Sequence, residues 1–165
     1  MTAVSVAQIM EKMLRFSEGN LHDIDHLLRV WSYAKTIGEL EGLDTRTQTT
    51  LEAAAIVHDI ACPYCRAAYG NTNGRLQERE GAPMAADFLR DTGLDAEQIG
   101  RIAWLVGHHH TFTDVDGLDH QILLEADYIA NASENGYPRE NLENALARIF
   151  RTDSGKALLR DVFCL

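Results

Sequence analysis

The chain is short of the residues that staple or break a fold. Its 165 residues include three cysteines and three prolines. The odd set Cys62, Cys65 and Cys164 offers no disulfide framework of the kind that holds small secreted domains together. No apolar run approaches the roughly 18 to 20 residues needed to cross a membrane. The opening Met1-Thr2-Ala3-Val4-Ser5 has no basic segment followed by an apolar stretch, so no signal peptide is expected and the cytoplasm is the expected location. Basic residues are scarce as well: 15 Lys and Arg face 25 Asp and Glu, giving a net charge of −10. That balance speaks against general nucleic-acid binding and against docking on an anionic membrane. A small phosphorylated substrate stays admissible, because a bound cation can reverse the field locally.

What remains is ordinary for a folded domain. Hydrophobic residues make up 45% and mean hydropathy is −0.22. With no repeat, linker or low-complexity run, one domain over residues 1–165 is expected, and a homodimer is compatible with this composition. Apolar residues recur with a 3.6-residue period between short Gly, Asn and Asp breaks, which predicts an all-α bundle of about seven or eight helices. The first stripe is Val6, Ile9, Met10, Met13 and Leu14. Asp23 is the expected N-cap of a second helix running to Leu40, and Asp44 or Thr45 that of a third. Residues 61–76 have the least regular composition, and Tyr69 to Gly74 read as a loop long enough for a lid. A fourth helix is expected from Gln77 to Thr92, or from near Gly81 if Pro83 occupies its first turn. Asp95 caps a fifth, which ends in His108-His109-His110, where cations suit a helix C-terminus. Asp119 or His120 opens a sixth, Pro138 a seventh, and Ser154 a short last helix.

Chemistry concentrates where polar groups meet apolar helix faces. Ala53-Ala54-Ala55-Ile56-Val57 ends abruptly in His58-Asp59. Leu51, Ala54/Ala55 and His58 share one helix face, so His58 projects to the buried side. His26 lies beside the stripe of the second helix, and Asp127 interrupts that of the sixth. Each buried polar group needs a partner. A single cation would serve His26, His58, Asp59 and Asp127 together, since imidazole and carboxylate are ordinary ligands of transition metals. Cys62-Pro63-Tyr64-Cys65 has dithiol spacing, but a redox dithiol needs a preceding strand, whereas this one follows a helix.

The ordered set His26, His58-Asp59 and Asp127, with the flanks Asp23-Ile24-Asp25-His26-Leu27-Leu28-Arg29-Val30, Ala54-Ala55-Ile56-Val57-His58-Asp59-Ile60 and Ile122-Leu123-Leu124-Glu125-Ala126-Asp127, resembles the HD superfamily of metal-dependent phosphohydrolases. The similarity runs from about residue 22 to 132. It implies an all-helical HD-type domain in which His26, His58, Asp59 and Asp127 bind a divalent metal: iron, manganese, zinc, cobalt or nickel. It also implies water-based cleavage of a phosphoester or phosphoanhydride, often in a nucleotide, with Asp59 both ligating and orienting the water. His108 and His109 resemble the extra histidines of members that hold two ions. Gln77 stands where those members carry a further histidine, and Cys62 where many carry Lys or Glu, so the proton-transfer role passes to Glu78 or Glu80, with Glu80 the catalytic candidate beside Asp59. Arg29, Arg66 and Arg75 are the candidate phosphate-binding cations, and Tyr64, Tyr69 and Tyr128 are available to stack on a base. A metal- and ligand-binding sensor without turnover is the alternative.

Overall fold

The computed structural model describes residues 4–165, and among them nine α-helices and no strand occur. They are α1 (Val6–Phe16), α2 (Leu21–Leu40), α3 (Thr45–Val57), α4 (Cys62–Tyr69), α5 (Gly74–Phe88), α6 (Ala96–Val106), α7 (Gly117–Asn135), α8 (Arg139–Arg148) and α9 (Asp153–Phe163). The expected all-α class holds, with one helix more than expected.

Short polar residues start most of these helices. Ser5, Asn20, Asp44, Asn73, Asp95 and Thr152 each accept a backbone N–H of the first turn, satisfying a donor that lacks an intrahelical partner. Asn20 takes the role expected of Asp23, whose own N–H it accepts, so α2 starts earlier. Asp116 and Thr152 likewise precede the expected starts at Asp119 and Ser154.

The largest departure from expectation concerns residues 61–76. Cys62–Tyr69 is a regular helix with Pro63 in its first turn, where the missing N–H costs nothing. Gly70 closes it in the left-handed region at φ 72°. Only Gly70–Asn73 remains as a connection, which is too short for a lid. α5 then runs straight through Pro83, which lies on its exposed side.

The helix α3 is the centre of the core. Thr50 to Val57 are all buried, whichever way the side chain points. Such a helix must be surrounded, and it packs against α2, α6, α1 and α7. The alanines Ala53, Ala54 and Ala55 let these neighbours approach, and α2 in turn lies along α7. A smaller cluster of Ile129, Leu142, Ala145, Phe150 and Leu159 ties α8 and α9 to the far half of α7. Gly81 allows α5 and α6 to meet closely, since a Cβ there would stand 2.9 Å from Val106 Cγ1.

One buried carboxylate secures the C-terminal helices. Glu125 Oε1 accepts the N–H groups of Arg151 and Thr152 at 2.8 and 3.0 Å, and Oε2 accepts the Thr152 hydroxyl at 2.8 Å. Substituting Glu125→Ala strands those buried donors. It is expected to cost about 2–4 kcal/mol of stability in chemical denaturation; a loss under about 0.5 kcal/mol, typical of surface substitutions, would refute this role.

Candidate metal centre

Three helices bring the candidate ligands together. His26 comes from the second turn of α2, His58 and Asp59 from the end of α3, and Asp127 from the middle of α7. His26 Nε2 lies 3.1 Å from His58 Nε2, 3.3 Å from Asp59 Oδ2 and 3.2 Å from Asp127 Oδ1. His58 Nε2 lies 3.5 Å from each of the same two oxygens. A further imidazole joins from beyond α6: His109 Nε2 is 3.3 Å from Asp59 Oδ1. His58 and His109 are fully buried and Asp127 nearly so, whereas the Asp59 side chain keeps 27% of its exposure.

The protons on the rings decide what this cluster can hold. His58 Nδ1 donates to the Ala55 carbonyl at 2.6 Å, and His109 Nδ1 to the Val106 carbonyl at 2.6 Å. His26 Nδ1 donates to Glu134 Oε2 at 2.9 Å. With every Nδ1 proton committed outward, each Nε2 turns a lone pair inward. Asp59 and Asp127 add only acceptors. Lone pairs 3.1–3.5 Å apart repel unless a positive centre lies among them. Ligand atoms about 2.1 Å from a common ion stand about 3.0–3.4 Å from one another at octahedral or tetrahedral angles, which matches these separations. The donor set fits a divalent transition ion held by His26, His58, Asp59 and Asp127. Its carboxylate and imidazole chemistry suits zinc, iron, manganese, cobalt or nickel without selecting among them.

Without an ion the cluster neutralises itself by holding protons. Burial opposes a charge on His26, but its contacts with Asp127 and Asp59 outweigh this and push the pKa up to about 11. His109 is raised in the same way: burial opposes the charge, and Asp59 overcomes it. Asp59 and Asp127 stay well below the usual carboxylate range despite burial, because the facing histidines favour their ionised forms.

Other candidates lie further out. His108 is absent from the cluster. Its Nδ1 donates to the Trp104 carbonyl and its ring stacks on Trp104 at 3.9 Å, because one residue of register, about 100° of rotation, turns it to a different side from His109. His110 replaces it, forming a second group of possible ligands with Asp59 and His109. Gln77 Oε1 lies 2.7 Å from His110 Nε2 and 3.2 Å from His109 Nε2, while its amide donates to the Thr72 carbonyl. Glu80 turns away from the cluster to accept the Tyr69 hydroxyl at 3.1 Å and pair with Arg79 at 2.8 Å, so the catalytic role expected of it lacks a geometric basis. Arg66 lines a cleft of about 150 Å³ over His26 and Asp59, with its guanidinium paired to Asp23. Arg29 stands behind the cluster, 3.5 Å from Glu134, and Arg75 lines a neighbouring cavity beside His110. Cys62 borders the cleft and Cys65 is buried; burial pushes both thiols up, which disfavours a reactive dithiol.

Glu134 was not foreseen from the sequence. The signal was present: Asp127, Asn131 and Glu134 fall at i, i+4 and i+7 on one face of α7. Asn131 donates to Asp127 Oδ1 at 3.0 Å and Glu134 holds His26, so this face supplies one candidate ligand and the supports of two.

A family model for the HD domain matches residues 23–132. The fold is also similar to a crystal structure described as a predicted HD superfamily hydrolase from an uncultured Thermotogales bacterium. That similarity has a TM-score of 0.69 at 23% identity, over 96% of this chain and 84% of the other. No curated protein sequence matches the chain. The chain belongs to the HD domain family.

Two outcomes follow. Glu134→Ala is expected to weaken metal affinity about 10- to 100-fold in competition titrations, with a smaller loss for Glu134→Gln, whose amide oxygen still accepts the His26 proton. Unchanged affinity in Glu134→Ala would remove Glu134 from the site. Because His26 carries a proton up to about pH 11 in the metal-free protein, an ion that takes its lone pair must displace that proton. Calorimetry at pH 7.5 in buffers of different ionisation enthalpy should therefore show about one proton released per ion; no release would contradict the assignment.

Proposed function

We propose that this protein is a metal-dependent phosphohydrolase that cleaves a phosphoester or phosphoanhydride of a small nucleotide or related phosphorylated metabolite. The observation that carries this reading is the inward convergence of three Nε2 lone pairs and two carboxylates beneath a cleft whose lining includes one guanidinium. Bound among these ligands, a divalent ion supplies Lewis-acid polarisation of a phosphoryl oxygen and eases the ionisation of water.

The chain's own residues supply the rest. Asp59 is the most exposed of the cluster side chains and stays ionised, so it accepts a hydrogen bond from water in the cleft and fixes the direction of attack. Arg66 reaches over the same cleft and is suited to two phosphoryl oxygens at once, with Asp23 holding its planar fork. Glu134, the Ala55 carbonyl and the Val106 carbonyl keep the three rings in one tautomer and orientation. The alternative is a domain that binds metal and ligand without turnover. It is favoured by the neutral Gln77 in the second ligand group and by Cys62, a thiol kept protonated, at the edge of the cleft.

Elemental analysis and a phosphate-release panel decide between them. The hydrolase reading predicts close to one or two transition ions per chain, phosphate release from at least one ester or anhydride, and loss of both in His58→Ala. Full activity in metal-free protein would refute it. Bound metal with no release across a broad panel would favour the sensor.

A further inference from the structure

The cleft under Arg66 is not the only approach to the cluster. A cavity of about 370 Å³ reaches it at Asp127 and Asn131, and its character is different. No Lys or Arg lines it. Its wall is Phe112, Tyr128, Tyr137 and Ile149. Tyr128 is held at both its ring and its hydroxyl. Tyr128 meets Tyr137 and Phe150 edge-on at 5.6 and 5.7 Å, and its hydroxyl donates to the Asn141 carbonyl at 3.1 Å. Phe112 stands on the connection between α6 and α7 with 43% of its surface exposed. Two tyrosines and a loop phenyl ring lining one cavity beside a buried candidate ligand make an apolar slot with a polar end.

Resting on the hydrolase reading, we propose that this cavity is the leaving-group subsite and takes a flat aromatic ring, from a nucleobase or an aryl group. The ring lies against Tyr128 and Tyr137 under Phe112, while the phosphoryl group lies toward Arg66. Hydrolysis joins the water oxygen to phosphorus, breaks the phosphorus–oxygen bond to the ring-bearing group and delivers the remaining proton to that oxygen. The ring-bearing alcohol then departs through this cavity. Of the three tyrosines that the sequence offers for stacking, Tyr128 alone lines the cavity; Tyr64 and Tyr69 lie against each other on α4.

The test uses metal-loaded protein and phosphonates, which contain no phosphoester bond, so that binding is read without turnover. Methylphosphonate, benzylphosphonate and the 5′-methylenephosphonate analogue of AMP are compared by calorimetry. At least one ring-bearing probe is expected to bind about tenfold or more tightly than methylphosphonate. Preference for the AMP analogue assigns a nucleobase, and preference for benzylphosphonate an aryl group. Phe112→Ala, which truncates a half-exposed side chain, and Tyr137→Leu should each bring the ratio within about threefold. Equal affinity for all three probes, or a ratio that survives both substitutions, overturns the subsite. If the ring preference holds while no ester or anhydride releases phosphate, the cavity stands as a site for an aromatic ring, but its leaving-group role and the hydrolase reading fail. Phosphate release with equal phosphonate affinities does the opposite: the hydrolase reading stands and the subsite fails.

Discussion

Everything in this structure serves one electrostatic constraint: three imidazole rings are made to turn their lone pairs toward two carboxylates. Left in water, each ring would choose its own tautomer, and the acids would be hydrated. Here the outer nitrogen of each ring is tied to the Ala55 carbonyl, the Val106 carbonyl or Glu134, and the inner nitrogens follow. The carbonyls of Ala55 and Val106 are available because both histidines follow a helix end, where the last carbonyls have no intrahelical donor. Helix ends thus supply acceptors at no cost to the backbone, and His58 and His109 use them in the same way, each bonding the carbonyl three residues back.

The scaffold explains why this arrangement can be held. From Thr50 onward α3 is enclosed on all sides, and its alanine run sets its neighbours close enough for α2 and α7 to deliver His26 and Asp127 to the end of the same helix. A wider residue in that run would push the ligands apart by more than the few tenths of an ångström that coordination tolerates. The cluster in turn acts back on the fold. Paired carboxylates and protonated histidines satisfy one another when no ion is bound, so the site is a buried charge network and not a set of isolated penalties.

The sequence was most legible where burial alone decides the outcome. Apolar stripes marked the helices, and the break from Ile56-Val57 into His58-Asp59 marked the centre of the site, because buried polar groups at the end of an apolar run need partners. It was less legible where register or distance in the chain decides. Nothing in His108-His109-His110 says which ring turns inward; that depends on one residue of rotation at the end of α6, which packing on Trp104 settles for His108. Glu134 comes from two turns past Asp127, beyond the apolar stripe that draws attention to α7, and it acts through His26, 108 residues away. The helix α4 was masked by Cys62-Pro63 and the Gly70-to-Gly74 composition, which look like punctuation but in fact start one helix and separate it from the next.

The most direct measurement is anomalous diffraction at the metal edge from crystals of the metal-loaded protein. A peak is expected among His26 Nε2, His58 Nε2, Asp59 and Asp127, each about 2.0–2.3 Å from it. Full loading with the peak elsewhere, or with no peak among these four side chains, would contradict this assignment.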